Sequence, residues 1–398
     1  LDNFKIKISN TMTEQMGLYG NENHMIRIPK VLRTNLQRNL GERIPFTCVQ
    51  GKPVVLEISE AFKHDSEQDS SVCYVTEETF NTINIERTPI YIPKQIETIT
   101  LGCDPEFFLL DRQSKKLLRA YMFFKKFGEV GNDGILAEFR PKPTLTPQDL
   151  TNNIYKLIVK TKKLLSTNSI HNPDDIILHA ASRYEGYTAG FHLHYGLPKE
   201  MLGRKSDRLV VIKKIMRALD YYIGIPAIMA EEVTDFKRRV NTYVSYGKPS
   251  DFRIDHRTLE YRVPGGSLLR HPDLTLGLIA LGSTVITDLM IKVKSITNEF
   301  KHLSFMNNDD RLQEMYPNTP RIMTMYEIIC SPNTDRAKTY LDSIYNDITR
   351  MIDFNKNSKA INKLFTILSN NKELIDQGME LNWRNTYEQR HHFHQTSN

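Results

Sequence analysis

The 398-residue chain has little cysteine. Cys48, Cys73, Cys103 and Cys330 lie far apart and no C-x-x-C pair occurs. That spacing argues against a disulfide frame or a cysteine zinc site, and fits free thiols in a reducing compartment. Neither G-x-x-x-x-G-K nor G-x-G-x-x-G occurs, so any phosphate must be held by a metal and by cationic side chains rather than by a glycine cradle. Long hydrophobic runs are also missing. The most apolar segment, Leu274 to Val293, is interrupted by Thr275, Gly277, Ser283, Thr284, Thr287 and Asp288, and reads as a buried helix rather than a membrane span. No signal-peptide pattern and no internal repeat is recognisable, and nothing marks a dedicated nucleophile.

What is present is an ordinary globular balance, 40% hydrophobic and 25% charged. The net charge of +6 and the isoelectric point of about 8.9 suit an anionic substrate such as ATP without demanding nucleic acid. Three regions are expected. Residues 1–95 carry short alternating runs around Phe4–Ile8, Met25–Ile28, Val54–Ile58 and Val72–Val75, and read as a small β-rich accessory domain. Residues 96–300 form the main domain and residues 301–398 a helical region, and a segment with Pro89 and Pro93 reads as the linker into the main domain.

The main domain centres on Gly190-Phe191-His192-Leu193-His194-Tyr195-Gly196. On a strand, residues two apart share a face, so both histidines point one way. They suit a metal or a phosphate, although a lone H-x-H is more often a pair of hydrogen-bonded structural histidines. Three further stretches repeat the spacing with charged residues: Asp104 and Glu106, Glu138 and Arg140, Glu260 and Arg262. Carboxylates among apolar neighbours are costly without a cation. Several carboxylates and a histidine fit Mg²⁺ or Mn²⁺, and arginine forks fit transferring phosphate. Pro105 should place its strand at a sheet edge or near a bulge. Gly131 to Gly134 reads as a turn, and Leu117 to Phe124 as a returning strand. Thr146-Pro147-Gln148-Asp149 reads as a helix start, and Ser206 to about Met229 as a helix that Pro226 interrupts. Lys237-Arg238-Arg239 is either a solvated surface run or a phosphate contact. The tail from Arg390 reads as frayed.

Taken in order, four stretches carry a resemblance. Leu101-Gly-Cys-Asp-Pro-Glu-Phe resembles the G-x-E-x-E-F strand of carboxylate–amine ligases of the glutamate–cysteine ligase type, with Asp104 in place of the first Glu. Ala137-Glu-Phe-Arg-Pro141 resembles their E-L-x-x-P strand, and Gly190 to Gly196 their H-x-H-x-G strand. Asp251-Phe-Arg253 with Thr258-Leu-Glu-Tyr-Arg262 resembles their D-x-R and T-x-E-x-R ending. The order D-P-E-F, D-G-x-x-x-E-x-R-P, H-x-H, E-Y-R is most similar to phage-encoded amidoligases of the type-2 COOH–NH2 ligase group. It covers about Thr98 to Leu269.

The resemblance implies an α+β, glutamine-synthetase-like fold: a curved antiparallel sheet with helices on one side. It implies ATP and Mg²⁺ or Mn²⁺ as cofactors, and an amide or peptide bond formed through an acyl phosphate. It makes Asp104, Glu106, Glu138, His192 and Glu260 metal ligands, with His192 and His194 toward the nucleotide; Arg239 of the basic run is a further candidate for nucleotide contact. Arg262 and Arg253 would stabilise the transferring phosphoryl group, and Arg140 is a weaker candidate. The partners are carboxylate and amine substrates (an amino acid, a peptide or a protein terminus), with neither nucleic acid nor membrane. A ligase would act in the host cytoplasm. Two alternatives stay open: a phosphotransferase of the same fold, and a virion-associated structural protein that kept the fold, with virion or homo-oligomer contacts.

Overall fold

A computed structural model describes strands at 5–8, 25–28, 43–47, 53–60 and 72–75, and then residues 99–167, 171–197, 212, 215–240, 246–255, 258–299, 318–369 and 377–395. The chain divides into two compact units. One contains Leu1–Thr98, Thr287–Asn318 and Asn346–Lys356; the other contains Ile99–Ile286, Thr319–Tyr345 and Asn357–Asn398.

The first unit holds a mixed five-stranded sheet. Its strands are β1 (Lys5–Ile8), β2 (Met25–Ile28), β3 (Arg43–Thr47), β4 (Pro53–Glu60) and β5 (Val72–Val75), in the order β1-β5-β2-β4-β3. The pairs β1–β5 and β2–β4 are parallel, while β2–β5 and β3–β4 are antiparallel. The proline-containing linker expected near Pro89 and Pro93 lies outside the described residues.

The second unit is built on β6 (Leu101–Asp111), which alternates apolar residues on one face with Asp104 and Glu106 on the other. After it come β7 (Leu117–Leu118), β8 (Val130–Asp133), β9 (Leu136–Phe139), helix α1 (Pro147–Ser166) and β10 (Ile176–His179). Next are the hairpin β11 (Arg183–Tyr184) and β12 (Tyr187–Thr188), then β13 (Phe191–Gly196), β14 (Phe252–Asp255) and β15 (Thr258–Tyr261). The main sheet is antiparallel, in the order β14-β15-β13-β6-β9-β8, with β7 and β10 also paired to β6. The architecture is α+β.

One face of this sheet is core. Cys103, Phe107, Phe139, Phe191, Leu193, Tyr195, Leu259 and Tyr261 are buried on it. Two helical segments close it off. In α3 (Pro272–Glu299), an added Cβ at Gly282 would lie 2.2 Å from the Tyr195 hydroxyl, so the helix crosses in backbone contact with that side chain. The window Pro272–Met290 is long and apolar enough to cross a membrane, yet 89% of it is buried inside the protein. The other segment is a π-turn, Asp220–Gly224, leading into α2 (Ile225–Ala230). Pro226 lacks the N–H that an α-helix uses, and the wider turn accommodates it. Residues 206–211 of the expected helix lie outside the described residues.

The Thr146 side chain caps α1 by accepting from the Asp149 N–H, with Pro147 in the first turn. Helix α1 meets the C-terminal helix α7 (Met379–Gln395, after α4 Ile322–Ile329, α5 Leu341–Ile348 and α6 Phe354–Ser369). There Tyr155 stacks on Tyr387 at 4.1 Å and Lys162 pairs with Glu380 at 2.8 Å. The Trp383 indole N–H donates to the Leu269 carbonyl at 2.7 Å.

Four expectations change. Pro105 lies in a central strand, not at an edge. The Glu106 N–H points to the Gly190 carbonyl of the β13 side, so the ring nitrogen of Pro105 points toward β9. The β6–β9 ladder begins only at Glu106↔Glu138, and no bond is lost there. Gly131, Asn132 and Asp133 belong to β8, with the turn at Gly134, whose φ is +64°. The return after Leu118 is a 3₁₀ turn, Ala120–Met122. The tail from Arg390 continues α7 to Gln395, because the helix is seated by Trp383 and Tyr387 further back.

Candidate functional site

The strand registers decide which side chains share the face opposite the core. His192 is paired with Asp104, His194 with Glu260, and Arg253 with Glu260. On the other flank of β6, Glu106 is paired with Glu138. Directly paired residues point the same way. Asp104, Glu106, Glu138, His192, His194, Glu260 and Arg253 therefore stand on one face. Farther along β6 that face is sealed by Phe108, Leu110, Leu136, Ala181 and Ala189, with Tyr184 of the β11–β12 hairpin against them. The hairpin turns through Glu185 and Gly186, both at positive φ.

The centre is dense in charge. Nδ1 of His192 lies 3.1 Å from Oδ1 of Asp104 and 3.4 Å from Oε1 of Glu260. Nε2 of His194 lies 3.0 Å from the same Asp104 oxygen, yet both atoms are buried without a hydrogen bond of good geometry. Ligand atoms of Asp104, His194 and Glu260 all fall within 4.8 Å of one another. Gly102, opposite His194, keeps this place open: an added Cβ would lie 3.2 Å from the His194 Cβ.

Burial would raise the Asp104 carboxyl, but the two imidazoles beside it outweigh that and hold it well below the usual carboxylate range. For His194 burial works downward, and the Asp104 contact overcomes it, so the imidazole is raised. Glu106 and Glu138 are both pushed up, first by burial; Glu138 reaches about 8, with the Asp104 charge adding to the effect and Arg140 opposing it. Two buried carboxylates directly opposite each other are unfavourable without a cation.

Each acid has a holder. Arg140 pairs with Glu138 and also donates to the Lys126 and Gly128 carbonyls, which ties it to the loop before β8. Oε2 of Glu106 accepts from the Gly190 N–H at 2.6 Å and from the Tyr246 hydroxyl at 2.8 Å. Nε of Arg262 lies 3.2 Å from Glu260, and its Nη1 lies 3.8 Å from Asp251. Arg253, 3.5 Å from Glu260, has a side chain 61% exposed. Of the three arginines it is the freest to meet a ligand.

Arg239 does not join this face. Its guanidinium is buried and clasps Glu231 at 2.5 Å, while the equally buried Arg238 donates to the carbonyls of Arg262, Val263 and Pro264. Neither reading of the Lys237–Arg239 run therefore fits these two residues. They brace the chain after β15, because Glu231 and the strand-end carbonyls offer buried acceptors that solvent would not match. Arg239 is accordingly removed from the nucleotide contacts.

Tyr246 was missed. It follows no alternating strand pattern, and only the folded chain brings it to His192 and Glu106. Burial, then the Glu106 charge, push its phenol well up, so it keeps its proton. The residues fit a divalent cation: oxygen donors dominate, and ligand atoms of Asp104, His194 and Glu260 lie within 4.8 Å of one another, those of Asp104 and His194 buried without a hydrogen bond of good geometry.

Among solved structures, the chain overlaps a bifunctional glutathione synthetase from Pasteurella multocida at 9% identity and TM-score 0.42, over 70% of this chain and 49% of that one. It thus spans about half the length of that protein. A complex of the ubiquitin-like protein Pup with its ligase PafA gives 13% identity and TM-score 0.34, over 76% and 70%. Ligand-free GmaS gives 12% and 0.32, over 71% and 79%. No curated protein sequence matches the chain significantly. Residues 101–384 match the family described as phage phiEco32-like COOH.NH2 ligase-type 2, a span that contains every strand of the site. The chain belongs to this carboxylate–amine ligase family.

Proposed function

We propose that the protein joins a carboxylate to an amine at the expense of ATP, through an acyl phosphate. The observation that carries this reading is the single face shared by Asp104, Glu106, Glu138, His192, His194 and Glu260, with Arg253 and Arg262 beside it. In the first step a substrate carboxylate oxygen attacks the γ-phosphorus and ADP leaves. In the second the amine nitrogen attacks the acyl carbon, phosphate leaves, and the nitrogen gives up a proton.

Asp104, His194 and Glu260 would hold Mg²⁺ or Mn²⁺, with His192 close by and Glu106 and Glu138 as donors across β6. A bound ion would supply charge neutralisation to phosphate oxygens. Arg262 and Arg253 present planar forks that suit a phosphoryl group better than an ammonium would. The substrates are an amino acid, a peptide or a protein terminus. Acting for a phage, the enzyme would work in the host cytoplasm.

The test is ADP release with pooled carboxylates and amines, followed by mass analysis of products. A ligase gives ADP, free phosphate and an amide. A phosphotransferase gives ADP and a phosphorylated acceptor without free phosphate. Mg-ATP should also raise the melting temperature by linkage, about 2.7 kcal/mol at a hundred times Kd. An unchanged melt at millimolar Mg-ATP, with no ADP released, would favour a structural role.

A further inference from the structure

Tyr246 precedes β14 and reaches into the site from outside the strand pattern. Its hydroxyl contacts Nε2 of His192 and lies 2.8 Å from Oε2 of Glu106. The two rings meet edge to face, with centroids 5.4 Å apart. The guanidinium carbons of Arg238 and Arg262 lie 5.0 and 4.8 Å from the centre of the phenol ring, which holds it in place. Gly190 makes the contact sterically feasible: an added Cβ would sit 2.3 Å from Nε2 of His192 and 2.5 Å from the phenol oxygen.

Counting protons gives the direction of these bonds. A phenol has one proton, and the Tyr246 hydroxyl is placed to donate it to Oε2 of Glu106. That proton therefore goes to Glu106, and the phenol oxygen accepts from His192. A neutral imidazole bonded this way carries its proton on Nε2 and leaves a lone pair on Nδ1. Nδ1 faces Asp104 and Glu260, at 3.1 and 3.4 Å. Facing these two carboxylates, Nδ1 carries either a second proton or a metal ion, and a divalent cation takes the proton's place.

We infer that Tyr246 is a positioning residue: its hydroxyl, fixed by Glu106, accepts from Nε2–H of His192 and turns Nδ1 toward the divalent cation held with Asp104 and Glu260. The inference rests on the ligase reading only for the presence of that cation. Partners that set a histidine's tautomer in this way raise metal affinity about 10–100-fold.

Tyr246→Phe removes the oxygen and keeps the ring against both arginines. Two readouts test it: Mn²⁺ titration by electron paramagnetic resonance, and ¹⁵N spectra of histidine-labelled protein in Mg²⁺, with the His192 signal assigned by its loss in His192→Gln. The wild-type protein should show His192 protonated on Nε2. Folded Tyr246→Phe should lose that preference and bind Mn²⁺ about 10–100-fold more weakly. An Nδ1–H tautomer in the wild-type protein, or unchanged Mn²⁺ affinity in the variant, overturns the inference and leaves the ligase reading intact. Mn²⁺ binding and the expected tautomer without ADP release from any substrate pool sinks the ligase reading and supports the role of Tyr246. A wild-type protein that binds no Mn²⁺ overturns both.

Discussion

Nε of Arg262 lies 3.2 Å from Oε1 of Glu260, so the last two charged residues of the strand pattern are in contact. If the pair serves the phosphoryl group, charge and shape can be separated. Glu260→Gln keeps the size and should lower Mn²⁺ affinity in a folded protein. Arg262→Lys keeps the charge but loses the planar fork, and should cost roughly 10²–10³-fold in kcat with little change in nucleotide binding. Melting curves and ADP production on the same two variants check this. Normal turnover in folded Arg262→Lys would leave the pair an ordinary ion pair.

Asp220 should give the fold a pH dependence of known sign. It accepts from the N–H and hydroxyl of Ser250 and from the Tyr261 hydroxyl, all on one buried carboxylate. Burial outweighs these bonds and raises it to about 6. The unfolded value is about 4, so the folded state binds the extra proton. Its contribution is complete below about pH 4 and is lost as the pH rises through about 6, up to roughly 3 kcal/mol. Asp220→Asn cannot titrate. Its melting temperature relative to wild type should therefore climb between pH 4.5 and 7, and a flat difference would refute the assignment.

Gly190→Ala should damage the site more than the fold. The new methyl would collide with His192 and Tyr246. Overpacking of this kind costs about 1–3 kcal/mol. Circular dichroism should show a folded protein, while calorimetric titration with Mn²⁺ should show weakened or absent binding.

Glu231 and Arg239 should behave as a structural pair. Both side chains are 1% exposed, and the Gly265 N–H also donates to Glu231. Glu231→Ala strands a buried guanidinium and should cost about 3–5 kcal/mol in urea unfolding. Replacing both residues by leucine should recover much of that loss. Mg-ATP affinity per folded molecule should not change in the double variant.

The site was legible where its residues alternate on strands. A period of two places Asp104 with Glu106 and His192 with His194 on one face without knowledge of the partner strands. The registers that set the two pairs side by side depend on loops whose lengths carry no such pattern. Arg239 shows the opposite case: a basic run looks the same whether it faces water or a buried glutamate, and only Glu231 decides. Pro105 shows the limit of the rule about missing N–H groups, which says nothing of which neighbour that nitrogen faces. Tyr246 gave no signal at all, because its partners Glu106 and His192 come from residues far away in sequence.

The central position of β6 sets an order of events for the growing chain. Asp104 and Glu106 are made early, and Glu138 can join them once β7, the 3₁₀ turn and β8 have been made. Asp104 meets His192 only after β13 is made, and Glu260 arrives last of all. Contacts this distant in sequence form slowly, because their loop-closure entropy must be met first. A nascent chain that stops short of β15 therefore carries crowded carboxylates without their full set of partners, and His192 meets Glu260 only when the final strand docks.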